Sequence, residues 1–285
     1  MGASHAGTVS RVSPLLALLS SLLWGTSDFV AGLRSRTLPP AAVVGWSQLI
    51  GLTTLSIVVV AGHPLSGTAW VPWAIAAGAA GAIALAAFYA ALSTGTMGVV
   101  APIASLGAAV PVILGVVSGE QPSVLAWVGM GVALAGATLA SGPELRAGLH
   151  LRPVALAGVA AVGFGLVLFL IDRGARESLV STLWGMRLTS TLLYALVALT
   201  RRSLGGVGRK DWPALVLVGL ADLSANALFA LASSQGMVSV ASVLGSLYPV
   251  VTILLARGLI GERMRGIQNV GVVLSLLGVV VIASG

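Results

Sequence analysis

Ten apolar runs follow one another along this chain with only short polar punctuation between them. They span residues 13–33, 41–62, 71–92, 97–118, 124–141, 154–172, 179–200, 213–234, 238–258 and 266–284. Each approaches the roughly 20 residues that an α-helix needs to cross a bilayer. Irregular backbone cannot face lipid, because its polar groups would go unpaired there, so a succession of such runs leaves a helix bundle as the fold. Charged residues make up 8% of the chain and hydrophobic ones 57%, whereas a soluble domain draws about a quarter of its residues from the charged set. The expectation is an all-α integral membrane protein with ten transmembrane helices. The punctuation fits bilayer-edge turns: "RSRTLPP", "GHPLSG", "STGTMG", "SGEQPS", "GPELRAGLHLRP", "RRSLGGVGRKDW" and "GERMRG".

The chain also repeats itself. "WGTSDFVAG" from Trp24 has a counterpart in "FGLVLFLID" from Phe164, 140 residues on. Pro72, Gly78 and Phe88 match Pro213, Gly219 and Phe229 at an offset of 141. Gly119-Glu120 matches Gly261-Glu262, and Gly129 and Gly136 match Gly271 and Gly278, at 142. Two repeats are expected, at 1–142 and 154–285. Five helices is an odd number, so the second copy enters the membrane from the opposite side. An inverted-topology pair of this kind places its working site near the midplane, between the halves. The first run resembles a signal peptide at its start, but it continues to Leu33 and its counterpart is internal. It is therefore expected to stay as a helix.

The net charge of +7 sits in short loops with no aromatic-basic stripe, which argues against a nucleic-acid partner. It serves orientation instead. The termini and even-numbered loops hold Arg11, Arg173 and Arg176. The odd-numbered loops hold Arg34, Arg36, Arg146, Arg152, Arg201, Arg202, Arg209, Lys210, Arg257, Arg263 and Arg265. Basic loops stay cytoplasmic, so the count puts both termini outside. With no cysteine, disulfides and thiolate sites are excluded, and His5, His63 and His150 lie in the tail or in loops. No metal site or cofactor is expected. A phosphate-binding loop needs Gly-Lys-Ser/Thr, yet the only lysine is Lys210, in "GRKDW". No other enzyme motif is present, so neither ATP hydrolysis nor another enzymatic activity is expected.

Carboxylates in mid-membrane are the strongest functional signal, since a charge there costs about 2.5–3.5 kcal/mol on insertion scales. Asp28, Arg187 and Asp222 lie well inside runs, whereas Asp172 closes the sixth run beside Arg173 and is expected at the interface. Asp222, Asn226, Phe229 and Ser233 share one helix face; Trp184, Arg187, Thr191 and Tyr194 share another; Ser21, Trp24 and Asp28 form a third, with Ser27 adjacent. One reading is a buried ion pair that only holds helices together. But two acids face one base, so at least one Asp lacks a full-charge partner. A carboxyl group so placed suits proton coupling, and the residues leave open which Asp it is. The fourth and ninth runs carry Pro102, Pro111 and Pro249, and "GSLYP" adds Ser246 and Tyr248 at a bend. Ala74, Gly78, Ala82 and Ala86 form a close-packing face on the third helix.

The stretch from Gly236 onward resembles the second-repeat signature of the EamA-type members of the drug/metabolite transporter superfamily. It shows a small-residue run, Leu-x-Pro ending at Pro249, Gly-Glu-Arg at 261–263, and a glycine-punctuated last helix. "LLWGTSDF" is similar to the family's first-helix opening. The resemblance covers the whole chain and implies a cavity lined by helices 1, 3, 4, 6, 8 and 9, with 5 and 10 peripheral. Two departures stand out: Pro111 lies nonequivalently to Pro249, and such permeases usually keep both termini inside. Glu120 and Glu262 are expected to be structural, at the starts of helices 5 and 10.

The expected function is secondary active transport, most simply export, of a small polar or amphipathic metabolite by alternating access across the inner or plasma membrane. Proton-coupling candidates are Asp28 and Asp222. Substrate-binding candidates are Trp24, Ser27, Tyr89, Arg187, Asn226, Phe229, Ser246 and Tyr248. Expected partners are substrate, protons and lipid, with the chain a monomer or a homodimer. An uncoupled facilitator of the same substrates is the first alternative; a membrane-embedded enzyme or a structural protein is more remote.

Overall fold

The computed structural model describes residues 12–94, 100, 103–142, 151–261 and 263–284, without the side chains of Tyr89 and 92–94. Pro102, Glu262, Arg11, Arg146, His5 and His150 lie outside the described residues. Among those described, every regular element is a helix and none is a strand. The first repeat contains α1 (Val12–Arg34), α2 (Pro40–Val60), α3 (Val71–Thr94), α4 (Ile103–Val117) and α5 (Val124–Ala140). The helical stretch Leu151–Arg201 is interrupted at Ser178, whose backbone is extended (φ −163°, ψ 111°), and its two arms are α6 (151–177) and α7 (179–201). They are followed by α8 (Trp212–Gln235), α9 (Val238–Ile260) and α10 (Gly266–Ser284).

The sixth run outlasts its apolar stretch. Arg176 reaches back one turn to Asp172 through two hydrogen bonds, Nε to Oδ2 at 3.1 Å and Nη2 to Oδ1 at 3.0 Å. An i,i+4 pair carries the helix across "DRGARE". Asp172 is thus buried and paired with Arg176, not with the adjacent Arg173, which lies over the Phe169 ring at 4.8 Å. Arg176 Nη2 also donates to Ser233 O on α8.

Packing across the repeats is reciprocal. Gly78 on α3 sits where a Cβ would press on Met186 O and Thr189 of α7. Its repeat mate Gly219 on α8 sits in the same way against Ser47 O and Ile50 of α2. Gly25 on α1 fits against Tyr248 O and Val251 of α9, and Gly165 on α6 against Gly107 O and Val110 of α4. The ring pair Trp24–Phe229, with centroids 5.8 Å apart, has its mate in Phe164–Phe88 at 6.0 Å. The α5–α10 contact is built from the four glycines that the repeat brought into register: Gly129 meets Ile282, Gly136 meets Ser275, and Gly271 meets Ala140. That contact runs antiparallel. So does α2–α7, where Ser56 meets Trp184 and Gly45 meets Tyr194. Equivalent helices pointing in opposite directions make the two repeats inverted.

A serine ladder joins α1 to α8. The hydroxyls of Ser13, Ser20 and Ser27, seven residues apart, donate to the carbonyls of Ala232, Ala225 and Val218 at 2.8, 2.8 and 3.2 Å. Side-chain hydrogen bonds between membrane helices contribute about 0.6 kcal/mol each on average. α9 is interrupted at Ser246 and Leu247, just before Pro249, and α4 carries a 3-10 turn at Leu106–Ala108. The two irregularities occupy corresponding places although Pro111 and Pro249 do not.

Glu120 holds the other end of α9. Its carboxylate accepts from the first backbone N–H groups of that helix, Val238 N at 2.5 Å and Ser239 N at 3.0 Å. The sequence places Glu120 at the start of the fifth helix, but Ser123 performs that cap by accepting from Ala126 N. Glu120 therefore favours a helix N-terminus, as expected of a carboxylate, in the opposite repeat.

Candidate functional site

The mid-membrane polar residues converge where α1, α2, α7, α8 and α9 meet. Arg187 Nη1 lies 2.7 Å from Asp222 Oδ2 and donates to Gln48 Oε1 at 2.6 Å. Trp24 Nε1 donates to Asp222 Oδ1 at 3.1 Å, and Asn226 Nδ2 donates to Asp222 O at 2.6 Å and Oδ1 at 3.3 Å. Asp222 is therefore fixed from two neighbouring helices and from its own. The Arg187 side chain is 2% exposed and that of Asp222 25%, so the pair is accessible only from the acid's side. Arg187 lies against Gly51, whose missing side chain lets the guanidinium lie flat on α2. Its Nε and Nη2 are buried and without a hydrogen-bond partner among the described residues.

Asp28 differs. It makes no ion pair among the described residues, its side chain is exposed, and it lies within electrostatic reach of Asp222 and Tyr248. Leu15, Leu19 and Leu22 form the exposed apolar row of α1. Trp24 and Asp28, one turn apart, occupy the opposite side of that helix. Asp28 therefore faces away from the lipid-side row of α1.

Trp24 and Phe229 form an aromatic wall at the same level, and Phe229 is fully buried. Ser27 offers no free hydroxyl to the site: it belongs to the ladder with Val218 O. Ser246 is buried and donates to Val243 O at the α9 break, so its hydroxyl is also taken by backbone. Tyr248, next to that break, is half-buried near Asp28. The side chain of Tyr89 lies outside the described residues.

The stripe Trp184, Arg187, Thr191 and Tyr194 faces α2 along its length: Trp184 Nε1 donates to Ser56 Oγ at 3.0 Å, Arg187 meets Gln48, and Tyr194 meets Gly45. It is a seam between the repeats that brings one charged residue to the site. Gln48 is the member that sequence reasoning missed. Its signal was available, a lone amide flanked by Gly45 and Gly51, the small residues that let a partner helix come close. The second helix also contributes to the site, although the resemblance placed the cavity among other helices.

The charges sit on one flank only. Asp222 corresponds in the repeat to Gly81, and Asp28 to Leu168; Gly81 packs against Val167. The scaffold is two-fold and its chemistry is not. Among the described residues no group of acidic and histidine side chains is placed to hold a metal.

The EamA-like transporter family matches the chain twice, over residues 11–142 and 151–284. Among curated proteins no relative matches it. One protein of known crystal structure superimposes with a TM-score of 0.79 at 21% identity, over 94% of this chain and 95% of its own, a likeness of fold.

Proposed function

Because the chain belongs to the EamA-like transporter family, a family of multi-pass, non-enzymatic carriers of small molecules, we propose that it is a proton-coupled exporter in which Asp28 carries the proton. Its cargo is a small polar or amphipathic metabolite, and it works in the inner or plasma membrane by exposing the site alternately to each side. The eleven basic residues of the odd-numbered loops face the cytoplasm, which puts both termini outside.

The observation that carries this reading is the unequal fate of the two acids. Asp222 is neutralised by Arg187 and held by Trp24 and Asn226. Asp28 has no cation among the described residues and lies on the side of α1 opposite its exposed leucine row, near Asp222. Proton and cargo then compete for, or alternate at, one carboxylate. Trp24, backed by the buried Phe229, supplies an apolar wall, and Tyr248 supplies a hydrogen-bonding group. Arg187 and Asp222 position the wall and set the field in which Asp28 works.

Thermal-shift screening across amino acids, nucleosides and organic cations identifies a ligand, since binding raises apparent stability in proportion to the logarithm of concentration over Kd. Flux of that ligand is then measured in proteoliposomes with and without a pH gradient. The wild-type chain concentrates ligand against its gradient when the pH gradient is present. Asp28→Asn retains exchange of ligand for ligand and loses the response to the pH gradient. A variant whose flux still follows the gradient would remove Asp28 from the coupling step.

A further inference from the structure

A hollow lies between the start of α2 and the end of α7. Its volume is about 290 Å³, and its walls include Pro39, Gly45, Leu49, Tyr194, Ala198 and Arg201. In the wall, Trp46 Nε1 donates to Leu204 O at 3.2 Å and the Trp46 ring meets Trp212 edge-on at 5.1 Å, while Thr191 Oγ1 has no hydrogen-bond partner among the described residues. Arg201, at the membrane-surface end, is exposed and makes no hydrogen bond or ion pair among the described residues.

The dimensions of the groove select its occupant. The lining runs from Pro39 to Leu49 on α2 and from Thr191 to Arg201 on α7, ten residues along each helix, or about 15 Å. That is half of a hydrocarbon core about 30 Å thick, the depth of one leaflet. An apolar channel one leaflet long, lined in part by Trp46 and ending in a cation with no partner among the described residues, has the shape and charge order of a phospholipid. Basic pockets between membrane helices attract anionic headgroups for this reason.

We propose that the outer turns of α2 and α7 bind one anionic phospholipid, with an acyl chain along the groove and its phosphate on Arg201. The two helices belong to opposite repeats, so the lipid seals the seam between them. Its headgroup lies on the side of the membrane that carries the basic loops.

Native mass spectrometry of the delipidated full-length chain, titrated with dioleoylphosphatidylglycerol and dioleoylphosphatidylcholine, tests this. One phosphatidylglycerol per chain is expected to bind about fivefold tighter than phosphatidylcholine, the equivalent of about 1 kcal/mol for one basic residue at the surface. Arg201→Gln removes that preference, weakening phosphatidylglycerol more than phosphatidylcholine. Ala198→Phe fills the groove and weakens both lipids, with circular dichroism and thermal midpoint as in the wild type. Equal affinity of the wild type for the two lipids, a preference that survives Arg201→Gln, or unweakened binding in Ala198→Phe would each overturn the assignment.

Discussion

Replacing Asp222 by Asn leaves Arg187 charged in a place that water scarcely reaches. Removing one partner of a buried ion pair destabilises by about 3–5 kcal/mol, because the other charge loses its compensation. Two features put this case at the low end. Asp222 is 25% exposed, and an Asn oxygen still accepts from Trp24. The loss is expected near 3 kcal/mol, or about 6 °C in midpoint at about 2 °C per kcal/mol for a chain of this size. The reverse substitution, Arg187→Gln, orphans the better solvated partner and is expected to lose less. The double variant removes both charges, and a coupling of about 2 kcal/mol should bring its midpoint well above the additive value. Thermal unfolding of the four purified proteins in one detergent, followed by size-exclusion fluorescence, gives the cycle. Additive losses, or a larger loss for Arg187→Gln than for Asp222→Asn, would refute the argument from exposure. The same reasoning makes Asp28→Asn the cleaner transport variant, since no buried cation depends on it.

Gly78→Ala and Gly219→Ala each drive a Cβ to within 2.7–2.8 Å of a backbone carbonyl on the facing helix. Overpacking of this kind costs about 1–3 kcal/mol, and thermal unfolding should show both variants destabilised to a similar extent. Glu120→Ala strips the cap from α9 and should lower stability by about 1–2 kcal/mol, with hydrogen exchange accelerated first at Val238 and Ser239. Gln48→Leu takes an acceptor from a buried guanidinium and should cost about 1–3 kcal/mol by chemical or thermal unfolding. That loss should be largely absent in an Arg187→Gln background.

Much of the architecture was legible because membrane burial imposes a simple code. Run length marked the helices, and the scarce Pro, Phe and Gly-Glu matches set the repeat. The glycines in register, Gly25 with Gly165 and Gly78 with Gly219, proved to be matching close approaches. What the sequence left open was rotation and partnership. Asp28 and Asp222 carry the same chemistry in the same kind of segment, and only the placement of Arg187 on α7 beside α8 decides which is neutralised. Glu120 gives no local sign that its target is α9 in the other repeat, because its own following helix offers an equally plausible N-terminus. The limit of the sixth helix was missed because hydropathy ends at Asp172, whereas the helix is carried on by the charge pair with Arg176. The Ser13, Ser20 and Ser27 ladder did leave a trace, a seven-residue spacing, but its acceptors are backbone carbonyls and carry no sequence signature.

The cross-stitching of α1 to α8 and of α3 to α6 and α7 means that ancestry and mechanics divide the molecule differently. A backbone cut between residues 142 and 151 would separate the two copies cleanly as genes, yet each fragment would hold only one side of the serine ladder, of the aromatic pairs and of the glycine approaches. Neither fragment has its principal packing partner within itself, so the duplicated unit is a unit of inheritance and not of folding.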